Sequence, residues 1–232
     1  MTRPLIVAHR GWSARAPENS LEAFALAAAG GADGVELDVH ETADGGFVVH
    51  HDPDLPNGDA IADLPQFAVA GRLGKAGAAI PLLSEALALL AEQMAGGEVF
   101  VEIKGMRSWD RLRAVLRIYR SALKLEVQSF ELPLLGMMAA DPGQNVLGLI
   151  ANEPGPDPLA TLCGFGARTL SLRHTAVTQE LSAVIRGADL RLAAWTVNDP
   201  ERAVELARLG VDLLIGDDPV MLRQALEQRV ES

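Results

Sequence analysis

Short apolar runs recur along the chain at intervals that leave room for one helix each. Leu5–Ala8, Val35–Val39, Val99–Ile103, Leu125–Ser129, Leu147–Ile150, Thr169–Leu172, Leu192–Val197 and Leu213–Ile215 read as eight strands, and amphipathic stretches of helical period lie between them. Strands that alternate with helices pair in parallel, because each connection crosses back over the sheet. Eight such units in 232 residues predict an α/β fold, a closed (β/α)8 TIM barrel forming a single domain over 1–232, with functional groups at the C-terminal strand ends. An open doubly wound sheet is the alternative.

Punctuation between the runs agrees with this reading. Asn19 with Glu22 reads as a capping box, Ser84 and Ser108 as N-caps, and Asp199-Pro200 and Asp218-Pro219 put proline at the first helical position. Gly31-Ala32-Asp33, Gly187-Ala188-Asp189 and Gly210-Val211-Asp212 form a faint repeat in which a helix ends on glycine and a strand opens. Two segments break the pattern. Glu41 to Asp52 reads as a hairpin after strand two, and 53–81, rich in Gly, Pro and Ala, reads as a small insertion forming a lid or rim, or else a disordered excursion.

With 49% apolar residues the chain can fill one sizeable core. Its 31 acidic against 20 basic side chains leave a net charge of −11 and no basic stripe, which excludes nucleic acid as a partner and disfavours anionic membrane surfaces. The early apolar run Leu5–Ala8 is too short for a signal core or a membrane span, so a soluble, cytoplasmic protein is expected. Cys163, the sole cysteine, excludes an internal disulfide and reads as a small buried apolar side chain.

Ionisable side chains fall at the predicted strand ends. His9 and Arg10 end strand one, Glu36 and Asp38 lie two apart in strand two, and Glu102 and Lys104 two apart in strand three. Residues i and i+2 share a strand face, so each pair projects together, and in a barrel that face is the interior mouth. Glu36, Asp38 and Glu102 then converge and would repel one another without a cation; an all-oxygen set suits one hard divalent ion, Mg²⁺ or Ca²⁺. Salt bridges to Lys104 or Arg10 are the alternative.

If Asp44-Gly45 is a two-residue type I′ turn, the hairpin register sets His51 opposite Asp38 and turns His50 away. His51 and His9 then form an acid–base pair beside the metal. Arg10, a planar fork of donors, and Lys104, a compact cation, complete a phosphate-binding set. Trp195 either offers an aromatic face to an alcohol group at the opposite rim or packs in the barrel core.

His9-Arg10-Gly11, Pro17-Glu18-Asn19-Ser20, Glu36-Leu37-Asp38-Val39, His51-Asp52, Val101-Glu102-Ile103-Lys104, Gln128-Ser129-Phe130 and Trp195-Thr196-Val197-Asn198 follow one another in an order that resembles the glycerophosphodiester phosphodiesterase family. The resemblance spans nearly the whole chain. It implies a TIM barrel that hydrolyses small glycerol-linked phosphodiesters to an alcohol and glycerol 3-phosphate with a divalent metal. Carried over, Glu36, Asp38 and Glu102 are metal ligands, His9 and His51 the acid–base pair, and Arg10 and Lys104 the phosphate holders. Glu18 would support the metal and histidine shell, and Trp195 would contact the glycerol.

The chain departs from the family after His51-Asp52, where 53–81 is short and lacks the usual Arg-Thr stretch, and at Gly216-Asp217-Asp218-Pro219, where an aromatic commonly precedes the proline. The trimmed rim leaves lysophospholipids open as substrates. A phosphate-binding barrel without catalysis and a metal-dependent aldolase or isomerase are the rivals of other classes, since fold alone does not choose between chemistries.

Overall fold

Strands read as parallel need cover on both faces, and the chain meets that demand by closing the sheet on itself. In the computed structural model the staves are β1 (Leu5–Ala8), β2 (Gly34–Glu41), β4 (Glu98–Gly105), β5 (Lys124–Ser129), β6 (Val146–Ala151), β7 (Thr169–Arg173), β8 (Arg191–Trp195) and β9 (Leu213–Gly216). Pairing of Val7 with Gly34 and Ala8 with Val35 closes β1 on β2, so the architecture is the (β/α)8 barrel and not an open sheet. β3 (Phe47–Val49) stands outside the barrel, antiparallel on β2. The structure describes residues 3–143 and 145–228; positions 1, 2, 144 and 229–232, which the expected domain of 1–232 includes, lie outside the described residues.

Helices α1 (Leu21–Ala29), α3 (Leu83–Gln93), α4 (Trp109–Tyr119), α5 (Leu132–Ala139), α6 (Pro158–Phe165), α7 (Gln179–Gly187), α8 (Pro200–Leu209) and α9 (Pro219–Glu227) form the outer layer, while the short α2 (Gln66–Val69) belongs to the insertion. Asp199 and Asp218 cap α8 and α9 as expected, accepting from Glu201 N at 2.8 Å and Met221 N at 3.0 Å. The other caps differ. Ser20, not Asn19, caps α1 by accepting from Ala23 N at 3.1 Å, because Asn19 is turned to Asp38. Leu82 stays extended against Val48, so α3 starts at Leu83 with Ser84 inside its first turn and Glu85 accepting from Leu82 N. Ser108 occupies the cap position of α4 without bonding to the helix through its side chain; the buried Glu41 carboxylate accepts from Ser108 N instead.

In the repeat, Asp33 accepts from Ile6 N and Asp212 from Leu192 N, each at 2.8 Å, so each aspartate stitches its loop to a neighbouring strand. Gly31 and Gly210 are left-handed there, but in the third copy Gly187 closes α7 and Asp189 itself takes the left-handed conformation. Cys163 is exposed rather than buried, one position beyond the inward-facing Leu162 of α6.

The insertion is ordered and forms a rim. Leu55, Ile61, Val69 and Ile80 pack against Val48 of the hairpin in a separate small core, each buried side chain worth ~1.5–3 kcal/mol. Inside the barrel, Arg191 bridges Glu98 at 2.8 Å and Glu126 at 3.5 Å, below an apolar layer of Val7, Phe100, Ala193, Leu213 and Ile215. Charge at the other end faces the mouth.

Candidate active site

The strand period brings the carboxylates together as expected. Asp38 on β2 pairs directly with Glu102 on β4, and Glu36 lies two residues earlier on the same face as Asp38. One oxygen from each of the three carboxylates falls within a 4.8 Å spread, and all three residues are buried. Lys104 Nζ sits 2.5 Å from Glu102 Oε1 and 3.1 Å from Asp38 Oδ1, while Arg10 Nε is 3.1 Å from Asp38 Oδ2 and its backbone N–H donates to Glu36. The expected salt bridges therefore form, yet they leave one more carboxylate than cations.

The deficit concentrates on Glu36. Burial, with Asp38 and Glu102 adding repulsion, pushes its carboxyl well above the usual range, and burial and Asp38 raise Glu102 as well. Burial also works to raise Asp38, but Lys104 and Arg10 outweigh it and hold the group low. Glu36 Oε1 is buried without a hydrogen-bond partner. An oxygen-only triad with an unpartnered oxygen and a charge deficit has the donor chemistry of a hard divalent cation.

Both histidines reach the cavity, about 160 Å³ in volume, that Glu36, Glu102, Arg10 and Lys104 line. His9 arrives at the end of β1, its Nδ1 2.7 Å from Asp217 Oδ1 after β9. His51 arrives by a different route from the one the hairpin rule predicts. Thr42 N bonds Gly46 O and Gly45 N bonds Thr42 O, so the loop has three residues, and β2 and β3 pair Val39 with Val49. That register brings His50, not His51, to Asp38, with His50 N donating to Asp38 O. The chain leaves the sheet after Val49, and His40 Nε2 lies 3.1 Å from His51 O, fixing the turn that swings the His51 ring inward. His50 is buried at the insertion, beside Gly74. The register correction comes from Asp44, which accepts from Thr42 Oγ1 and from Gln66 N in the insertion, contacts that shape the longer loop.

Several groups went unforeseen. Asp52 Oδ1 is 2.9 Å from His51 Nδ1, and Lys75, from the insertion, lies 2.8 Å from Asp52 Oδ2. The Lys75 hydrogen bond, then that of His51, holds Asp52 down at about 2. Asp217 does for His9 what Asp52 does for His51, and its strand-end position was the available signal. Asn19, with a left-handed backbone, donates to Asp38 Oδ2 at 2.8 Å and accepts from Asp38 N. Glu18 touches the site through Arg10 Nη1 at 2.8 Å. Trp195 points into the cavity, 5.4 Å edge to face from Phe130.

A family model described as the Glycerophosphoryl diester phosphodiesterase family matches residues 9–221. A glycerophosphodiester phosphodiesterase of Caldanaerobacter subterraneus subsp. tengcongensis is 28% identical over 236 residues, covering 95% of this chain and 96% of the relative. Among solved structures, a phosphodiesterase of Oleispira antarctica in complex with the product sn-glycerol-3-phosphate superposes with a TM-score of 0.87 at 24% identity, covering 97% of each chain. A glycerophosphodiester phosphodiesterase of Thermotoga maritima superposes with a TM-score of 0.78 at 26% identity, covering 97% of this chain and 99% of its own.

Proposed function

The chain belongs to the glycerophosphoryl diester phosphodiesterase family, and on that premise we propose that it hydrolyses small glycerophosphodiesters to an alcohol and glycerol 3-phosphate with one divalent cation, Mg²⁺ or Ca²⁺, at Glu36, Asp38 and Glu102. The observation that carries the reading is one cavity lined by two imidazoles, a cationic pair and Glu36 and Glu102, with Asp38 completing the carboxylate triad behind them. When bound, the cation would neutralise charge developing on the phosphoryl oxygens.

Arg10 and Lys104, held by the carboxylates, would grip the non-bridging oxygens. Each imidazole has Nδ1 committed to an aspartate, Asp217 for His9 and Asp52 for His51, which leaves Nε2 for the reaction. One Nε2 would take a proton from the attacking oxygen and the other give a proton to the leaving alkoxide. Glu18 would keep the Arg10 fork in place, and Trp195 would contact the glycerol. The reading includes one domain over 1–232 and a cytoplasmic setting; no helix among the described residues is long and apolar enough to cross a membrane.

The test is a panel of glycerophosphocholine, glycerophosphoethanolamine and glycerophosphoinositol, assayed after chelation and after reloading with Mg²⁺ or Ca²⁺. Hydrolysis is expected only with metal, and His9→Ala and His51→Ala should each cost about 10²–10⁴ in turnover. Near-normal turnover by both variants would sink the assignment, and binding without hydrolysis would favour a mere phosphate-binding barrel.

A further inference from the structure

The two histidines are not supported alike. Asp217, which fixes His9, is itself fixed by residues of the barrel: Asn198 Nδ2 and Ser13 Oγ donate to its carboxylate, and its backbone N–H donates to Asn198 Oδ1 at 2.9 Å. Asp52, which fixes His51, stands on the bend after β3. Among the described residues its second carboxylate oxygen has one hydrogen-bond or ion-pair partner, Lys75 Nζ at 2.8 Å. A side chain 30% exposed and held at one oxygen alone can rotate out to water. The nitrogen of an imidazole that carries the proton is set by the partner of the other nitrogen, so the state of His51 depends on what grips Asp52.

The insertion is shaped for that grip. Gly71 N donates to Ile80 O at 2.9 Å, Ile80 N to Arg72 O at 2.8 Å and Gly74 N to Ala78 O at 2.9 Å, so residues 71–80 double back as a small hairpin with Lys75 in its tip. Its root is held where Ile80 and Val69 pack with Val48. Its tip lies against the buried ring of His50, close enough that a Cβ on Gly74 would fall 2.9 Å from His50 Cε1. The Lys75 side chain is 56% exposed, so core packing does not explain where it points.

We propose that Lys75 is a positioning residue of the phosphodiesterase reaction: by gripping Asp52 from the rim it holds His51 in the tautomer and orientation that leave Nε2 for proton transfer. The insertion is then part of the catalytic apparatus and not only a wall beside it. The inference rests on the reading under Proposed function and deepens it. The same contact holds the Asp52 carboxyl down at about 2, so the acceptor facing His51 Nδ1 is present from mildly acid pH upward. An ion pair this exposed adds little to stability, so its effect belongs in turnover and not in Tm.

Steady-state kinetics of the Mg²⁺-loaded protein on glycerophosphoethanolamine test this with Lys75→Met, Lys75→Arg, Asp52→Ala and the double variant. Asp52→Ala should lower kcat by roughly 10–100-fold, as loss of an orienting partner does. Lys75→Met should lower kcat by about fivefold, the rate equivalent of one exposed ion pair, with KM and Tm near wild type. Lys75→Arg, which keeps the charge and the donors, should restore kcat. Added to Asp52→Ala, Lys75→Met should cost nothing further, because the two act as one unit. In ¹⁵N spectra the neutral His51 ring should be protonated at Nδ1 in wild type and in Lys75→Arg, and exchange between tautomers in Lys75→Met.

A wild-type kcat or an unchanged His51 tautomer in Lys75→Met overturns the inference. So does a loss confined to KM, which makes Lys75 a substrate contact, or an equal loss with and without Asp52, which makes it a general effect on the rim. Each of these leaves the phosphodiesterase reading standing. Wild-type protein that cleaves no diester with either metal overturns both.

Discussion

Glu126 lies at the closed end of the barrel, where burial pushes its carboxyl up to about 7 against the opposing pull of Arg191 and of the Thr169 hydroxyl that donates to it at 2.9 Å. Since the folded-state value exceeds the ordinary glutamate value of 4.5, folding binds a proton here. The favourable contribution is complete below the unfolded value and is lost as pH rises through about 7. The difference corresponds to ~3 kcal/mol. Glu126→Gln keeps an acceptor for Thr169 and cannot ionise. It should therefore match the wild type near pH 5 and exceed it at pH 8 by up to ~3 kcal/mol, or ~6–12 °C in Tm for a chain of this size, less whatever the Arg191 contact returns. Thermal melts of both proteins at the two pH values measure it. Glu36 and Glu102 also titrate high, but they are common to both proteins and drop out of the comparison. A stability difference between Glu126→Gln and wild type that does not change from pH 5 to pH 8 would refute the reasoning.

Asp217→Asn should cost ~10² or more in kcat by stabilising the wrong His9 tautomer, read by steady-state kinetics at saturating substrate. Glu36→Gln should weaken Mg²⁺ by more than the 10–100-fold typical of an outer-sphere partner, measured by calorimetry, while raising the metal-free Tm because it neutralises a buried carboxyl group that has one unpartnered oxygen. Gly148→Ala places a Cβ 2.5 Å from Glu126 Oε1 and should destabilise by ~1–3 kcal/mol; suppression of that loss by Glu126→Ala would identify the clash as its cause.

The carboxylate triad was legible because a strand repeats every two residues. Glu36 with Asp38 and Glu102 with Lys104 share faces whatever the rest of the chain does, and the structure pairs Asp38 with Glu102 directly. Placement of His9 and Arg10 followed equally from the end of a short apolar run. The hairpin register was not legible, because its loop length depends on Gln66, 22 residues beyond Asp44 in a segment with no periodicity. His51 reaches the cavity all the same, through the bend after Val49 that His40 supports.

By itself, then, the sequence determined the barrel and the charged face of its mouth, since apolar period and glycine punctuation act over a few residues and do not need distant partners. Tertiary structure alone decided which groups tune that face. Asp217 meets His9 across 208 positions, Lys75 holds Asp52 from the rim, and Gln128 and Ser171 line the cavity from strands that are not adjacent. Such contacts are set by barrel closure and by the packing of the insertion on Val48, and neither leaves a local periodic signal in the chain.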